Sequence, residues 1–161
     1  MADMFALWRW QKLWEDRMLF VKAFGVTVEL AVGGLILALI LGFLVGILAT
    51  TSSRFVRGLT RIYVELFRNI PLTLQVMFFY YGCVYGGIKI STLTVGIVGL
   101  GICSGAFIAE IVRGGLNAVP RGQYDAAFSQ GLNYFQTMTR IILPQTIKII
   151  LPPLGTHLTW L

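Results

Sequence analysis

The residues that could do chemistry in this chain are few, and their spacing narrows what they could do. Glu65 and Arg68 stand three apart, as do Glu110 and Arg113, so on a helix each acid can neutralise its own base along one face. A charge in apolar surroundings is expensive and normally serves a purpose. Two readings stay open: ion pairs that stabilise the inner ends of apolar helices, or groups that gate or line a pathway, with Arg68, Asn69, Glu110 and Arg113 the candidates. Thr73, Gln75 and Ser104 are scattered polar groups that could meet a solute within the apolar runs. His157 stands alone, and an isolated imidazole on a broken apolar helix is expected to hydrogen-bond a freed carbonyl rather than relay protons. There is no GxSxG, no HExxH and no pair of aspartates in an apolar run, so no catalytic set or metal site is expected and a membrane protease ranks last. Cys83 and Cys103 lack CxxC spacing and a histidine partner, and read as small buried hydrophobes.

The other chemistry is docking. Tyr124 to Gln145 is a polar, helix-forming stretch between apolar runs, and something soluble must touch it. Pro120 and Gly122 favour a turn, Gln123 to Gln130 suits a helix of about two turns, and Gly131 followed by Asn133 stops it. Tyr124, Phe128 and Leu132 form an apolar ridge at spacing four, Ala126 and Ala127 leave room for close approach, and Asp125 in the first turn suits the helix dipole. A helix resting on lipid carries several lysines or arginines on its polar face. This one carries an aspartate and neutral polar groups, so a protein groove is the expected seat.

The elements that must position these residues are membrane helices. Hydrophobic residues make up 57% of the 161 and charged residues 12%, with mean hydropathy +0.78; an ordinary globular domain carries about a quarter charged residues. The net charge of +6 does not point to nucleic acid, because the bases flank apolar segments rather than massing among stacking aromatics. A span needs roughly 20 residues, and four are expected: Leu30 to Ser53, about Tyr63 to Gly86 with its first turns bent or broken at Pro71, about Ile90 to Gly114, and Ile141 to Leu161. Pro144, Pro152 and Pro153 predict that the last is kinked or broken. Gly42 with Gly46, Gly82 with Gly86, and Gly101 with Gly105 predict close helix contacts. Arg54, Arg57 and Arg61, with no acid beside them, place their loop in the cytoplasm. Residues 1–22 are too interrupted by charge for a signal peptide; Leu7, Trp10, Trp14, Met18 and Val21 share one helix face opposite Arg9, Lys12 and Asp16, which suits an interfacial amphipathic segment.

Asp125, Ala126 and Ala127, then Gly131 after three residues, then Ile141, Leu143 and Pro144 after nine more, resemble the Glu-Ala-Ala loop of ABC importer permeases, with Asp125 in place of the usual glutamate. RNIPLTLQ at 68–75, AFIAEIVRGGL at 106–116, VPRGQYDAA at 119–127 and LPQTIKIILPPLG at 143–155 are similar to the polar amino acid uptake permeases, and the likeness covers about residues 24–161. The resemblance implies an all-α integral membrane protein with a type I ABC importer transmembrane domain over residues 23–161, about four spans present and the family's fifth span missing. It implies a coupling loop at 118–135 in which Gly122, Gln123, Tyr124, Asp125, Ala126, Ala127, Phe128 and Gly131 meet a cytoplasmic ABC ATPase dimer. This chain has no GxxxxGK[ST] loop, so ATP and Mg belong to that partner and no cofactor is expected here. The remaining partners implied are a second permease subunit, identical or similar, and an extracytoplasmic amino-acid-binding protein, at a bacterial cytoplasmic (inner) membrane crossed several times.

The rival from another class is an ion-coupled secondary transporter or channel subunit, with Glu29, Glu65 and Glu110 carrying protons or cations. Uptake that survives ATP depletion but collapses with the ion gradient would mark it.

Overall fold

The computed structural model describes residues 7–159, and all regular structure among them is helical. The order is α1 (Leu7–Glu15), α2 (Arg17–Leu48), α3 (Arg54–Asn69), α4 (Leu72–Tyr85), α5 (Thr92–Ala118), α6 (Arg121–Ser129), α7 (Tyr134–Thr137), a π-helical turn (Met138–Ile142) and α8 (Leu143–Leu158). The arrangement centres on α5, which packs against α2, α3, α4 and α8.

The α2/α5 contact is the most extensive, and small residues explain it. Gly34, Ala38, Gly42 and Gly46 recur every fourth position along α2 and are all buried. A Cβ on Gly46 would stand 2.6 Å from Val112 Cβ and 2.8 Å from the Ala109 carbonyl oxygen, and one on Gly101 would stand 2.6 Å from Leu37 Cδ2. Each helix therefore offers glycine notches to the branched side chains of the other, the means by which apolar helices approach closely without help from water. Ile108, Val112, Ile142 and Ile150 are almost wholly buried where α5, the π turn and α8 meet. The predicted pairs Gly42/Gly46 and Gly101/Gly105 serve this packing. Gly82 does not: a Cβ there meets nothing within 4 Å, and one on Gly86 meets only carbonyls of its own helix.

Among the described residues two helices are long and apolar enough to cross a membrane whole, α2 with 32 residues and α5 with 27. The first begins at Arg17 rather than Leu30, so Lys22 and Glu29 ride on its exposed early turns; it ends at Leu48, not Ser53. It follows α1 after a single residue, Asp16. The expected second span is split. Pro71 lacks an amide hydrogen and forces Ile70 into an extended conformation (φ −94°, ψ 129°), ending α3. The 14-residue α4 then starts afresh, about 21 Å long at 1.5 Å per residue and shorter than a bilayer core. Gln75 bridges the break: its Nε2 donates to the carbonyls of Phe67 (2.9 Å) and Ile70 (2.7 Å), which the interrupted helix leaves free.

The final segment departs from expectation in another way. Pro152 and Pro153 lie inside a continuous α8, and the irregularity falls earlier, at the π turn Met138–Ile142. Pro144 is the reason: its ring would press on the Arg140 carbonyl of a regular helix, and the wider turn opens that space while Pro144 takes a first-turn position of α8. Trp160 and Leu161 of the expected fourth span lie outside the described residues, as do Met1 to Ala6 of the N-terminal segment.

Candidate functional site

Helix α6 starts at Arg121, two residues before the predicted start, because Pro120 (φ −60°, ψ 138°) occupies its N-cap. Asp125 consequently stands in the second turn, where the dipole does little for it. The far end is a complete Schellman cap. Gly131 takes φ +77°, its N–H donates to the Phe128 carbonyl (2.9 Å), and the Leu132 N–H donates to the Ala127 carbonyl (3.2 Å). Leu132 therefore lies beyond the helix rather than on the predicted ridge. Asn133 opens α7 instead of merely closing α6: its side chain accepts from the Gln136 N–H (2.9 Å) while Gln136 Oε1 accepts from the Asn133 N–H (3.0 Å), a reciprocal capping box.

The two alanines separate. Ala127 is 1% exposed and faces the chain's own interior, whereas Ala126, with Gly122, Asp125 and Phe128, is exposed. Tyr124 is half-buried against the core that includes Val119, Ile142 and Ile150. Desolvation there, with a smaller effect of Tyr134, raises the Tyr124 phenol above its ordinary pKa. Gln123 Oε1 accepts from Gln145 Nε2 at 3.1 Å, tying α6 to α8. Sequence reasoning overlooked Tyr134 and Phe135, which are 64% and 74% exposed beside the 46% exposed Phe128. The signal was present as two adjacent aromatics following a capping asparagine on a polar stretch.

The charged candidates gather elsewhere, in a cleft of about 570 Å³ between α3 and the C-terminal half of α5, lined in part by Arg57, Arg61, Glu65, Arg68, Glu110 and Arg113. Glu110 and Arg113 pair as the spacing predicts, Arg113 Nε donating to Glu110 Oε2 at 3.0 Å and a second, shorter contact joining Nη2 to Oε1. Glu65 does not pair with Arg68. It accepts from Arg61 Nε at 2.7 Å, one full turn back, and that contact raises the pKa of the exposed Arg61 guanidinium. Arg68 instead lies over the Phe107 ring, 5.0 Å from its centroid. Asn69 stands outside the cleft lining and donates to the Glu65 carbonyl at 2.7 Å.

Phe107 also stacks on His157, with centroids 5.2 Å apart. Among the described residues the expected bond from His157 to a freed carbonyl is not made: its Nε2 is buried with no hydrogen-bond partner there. Ring stacking fixes the imidazole in its place. Gln75 and Ser104 are buried and Thr73 is exposed. Gln75 Nε2 is committed to backbone, and its Oε1 is buried with no hydrogen-bond partner among the described residues, so neither group faces a solute. Among the described residues no group of three or more histidines, cysteines, aspartates or glutamates is placed to hold a metal.

A glycine-notched helix pair, a broken helix braced by Gln75 and a capped short helix seated on the bundle define an all-helical bundle in which two helices are long and apolar enough to cross a membrane. The chain belongs to the family of binding-protein-dependent transport system inner membrane components, which matches residues 34–161. It is 39% identical over 145 residues to the probable glutamine ABC transporter permease protein GlnM of Bacillus subtilis, covering 90% of this chain and 67% of that one. It is 34% identical over 138 residues to the probable amino-acid ABC transporter permease protein YckA of the same organism, covering 86% of this chain and 61% of the relative. The chain thus spans about two thirds of the length of the curated relatives it matches. Among solved structures, an amino acid ABC transporter crystallised with histidines superimposes with a TM-score of 0.73 at 31% identity, over 88% of this chain and 69% of the other.

Proposed function

We propose that this chain is the transmembrane permease subunit of an ATP-driven importer of polar amino acids, embedded as a multi-pass protein in a bacterial cytoplasmic membrane. A separate cytoplasmic ABC ATPase dimer binds ATP and Mg, a second permease chain, identical or similar, completes the pathway, and an extracytoplasmic binding protein delivers the amino acid. Family membership and relatives named as glutamine or amino-acid permease proteins support the reading.

One observation carries the mechanical part. Helix α6 is anchored on its inner side by Ala127, Tyr124 and the Gln123–Gln145 bond, and turns Gly122, Asp125, Ala126 and Phe128 outward. A groove closing on that outer side would transmit force through Tyr124 to the core shared by α5 and α8. Glu65 and Glu110, two of the three glutamates an ion-coupled reading would use, are each paired with an arginine.

The test separates the two alanines. Ala126→Leu adds bulk only to the exposed side and costs the helix little, so the protein should reach the membrane at normal levels while ATP-dependent uptake falls about tenfold or more, the scale of a central interface residue. Uptake at the wild-type rate would defeat the docking assignment.

A further inference from the structure

The polar stretch that carries α6 continues into a second exposed element of different character. Asn133 caps α7 through its reciprocal bonds with Gln136, and the Thr137 N–H donates to the Asn133 carbonyl at 2.9 Å. Thr137 is wholly buried and holds the inner side of this turn. Phe135 precedes it by two residues, about 200° around a helix at roughly 100° per residue. It therefore faces away from the bundle, 74% exposed, with Tyr134 next to it at 64%. The αL cap at Gly131 and the capping box at Asn133 fix the backbone on both sides of the link between the two helices, so α7 is held in contact with α6 as one piece.

Charge indicates what covers the two aromatics. From Gly122 to Thr139 the only charged residue is Asp125, and the nearest bases, Arg121 and Arg140, stand outside that stretch. A helix lying on anionic headgroups carries lysine or arginine on its polar side, and this segment has neither. The exposed residues that flank the aromatics in the chain, Ser129, Gln130, Asn133 and Thr139, are polar and neutral. Aromatic anchors with little charge near them and polar groups around them make up the centre of a protein interface. Phe128, 46% exposed at the end of α6, has the same character, so this surface continues the one assigned to the ATPase.

We propose that Tyr134 and Phe135 form a second docking point for the cytoplasmic ATPase subunit, entering an apolar pocket next to the groove that takes α6. The assignment rests on the ATPase partnership of the proposed function. Its consequence is mechanical. Contact at α6 alone reaches the bundle through Tyr124, whereas α7 leads straight into the π turn and α8. Holding both helices gives the ATPase a second route to the same core and keeps α6 from rolling in its groove.

The full chain, reconstituted in phosphatidylglycerol-containing vesicles with its second permease subunit and carrying photoreactive benzoylphenylalanine in place of Phe135, should on illumination form an adduct with the purified ATPase subunit. An adduct with lipid or with another permease chain instead, or no adduct while the ATPase is bound, overturns the proposal. Phe135→Ala should weaken ATPase binding about 30-fold, the scale of a central aromatic anchor, while Phe135→Trp, which keeps a large ring, should retain most of the affinity. Both variants should melt with the wild type, because Phe135 touches little of its own chain. Unchanged affinity in the alanine variant overturns the second docking point. Ala126→Leu keeps the two readings apart: if the folded wild-type chain captures no ATPase the proposed function fails, and if Ala126→Leu weakens capture while Phe135→Ala does not, the function stands and only the contact at α7 fails.

Discussion

Gly131 offers the sharpest test of how the external helix is built. Its φ of +77° lies in the left-handed region, where a residue with a side chain pays roughly 1 to 2 kcal/mol and asparagine less than others. Nothing stands within 4 Å of a Cβ built there, so within this chain the cost depends on backbone conformation and not on size. Adopting another conformation would forfeit the bonds to the Phe128 and Ala127 carbonyls, each worth about 1 kcal/mol. Either way the properly capped α6 loses about 1 to 2 kcal/mol, which lowers the ratio of capped to uncapped helix roughly 5- to 30-fold. If that form is what the ATPase binds, Gly131→Ala should weaken capture of the purified ATPase subunit by up to that factor, and Gly131→Asn by less. The assay is titration of labelled ATPase onto the reconstituted permease, with thermal unfolding measured in parallel. Equal affinity for glycine and alanine would refute the conformational argument. Asparagine, the larger side chain, behaving worse than alanine would show that bulk against the partner, not the αL cap, sets the requirement.

Two further substitutions probe the bundle. Gly46→Ala should destabilise by about 1 to 3 kcal/mol, because its methyl would press on Val112 and on the Ala109 carbonyl. Gly82→Ala, with open space at its Cβ, should stabilise by up to about 1 kcal/mol through helix propensity; thermal melts of the detergent-solubilised chain decide both, and the argument fails if the two respond alike. Gln75→Leu removes the donors to the Phe67 and Ile70 carbonyls and should cost about 1 to 3 kcal/mol, read as faster amide exchange at the start of α4; protection equal to wild type would mean the break needs no brace.

How much of this was legible in the residues depended on whether the deciding contact was local. The glycines of α2 and α5 announced themselves because small residues at spacing four have one common use in apolar helices, and Gly131 because an αL cap requires it. The same spacing at Gly82 and Gly86 misled, since a notch matters only where another helix lies opposite and the sequence does not say where that is. Pro71 was legible as a bend or a break, but the brace across it was not, because it comes from Gln75 four residues on. The Glu110–Arg113 pair followed from spacing. Arg68 was lost to Phe107, 39 positions away, and Glu65 consequently found Arg61. Ala126 and Ala127 looked equivalent in sequence, and only the seating of α6 on the bundle divides them.

The wide turn at Met138–Ile142 gives the junction between α7 and α8 an unusual property. It holds one residue more than a regular turn, so converting it to ordinary α-helix would carry the segment before it through about 100° around the α8 axis and about 1.5 Å along it. Thr137, fully buried at its edge with an unpartnered hydroxyl, sits where such a conversion would be felt first. Motion passed along this route would come in register steps, like a ratchet tooth, rather than as the graded flexing of a hinge.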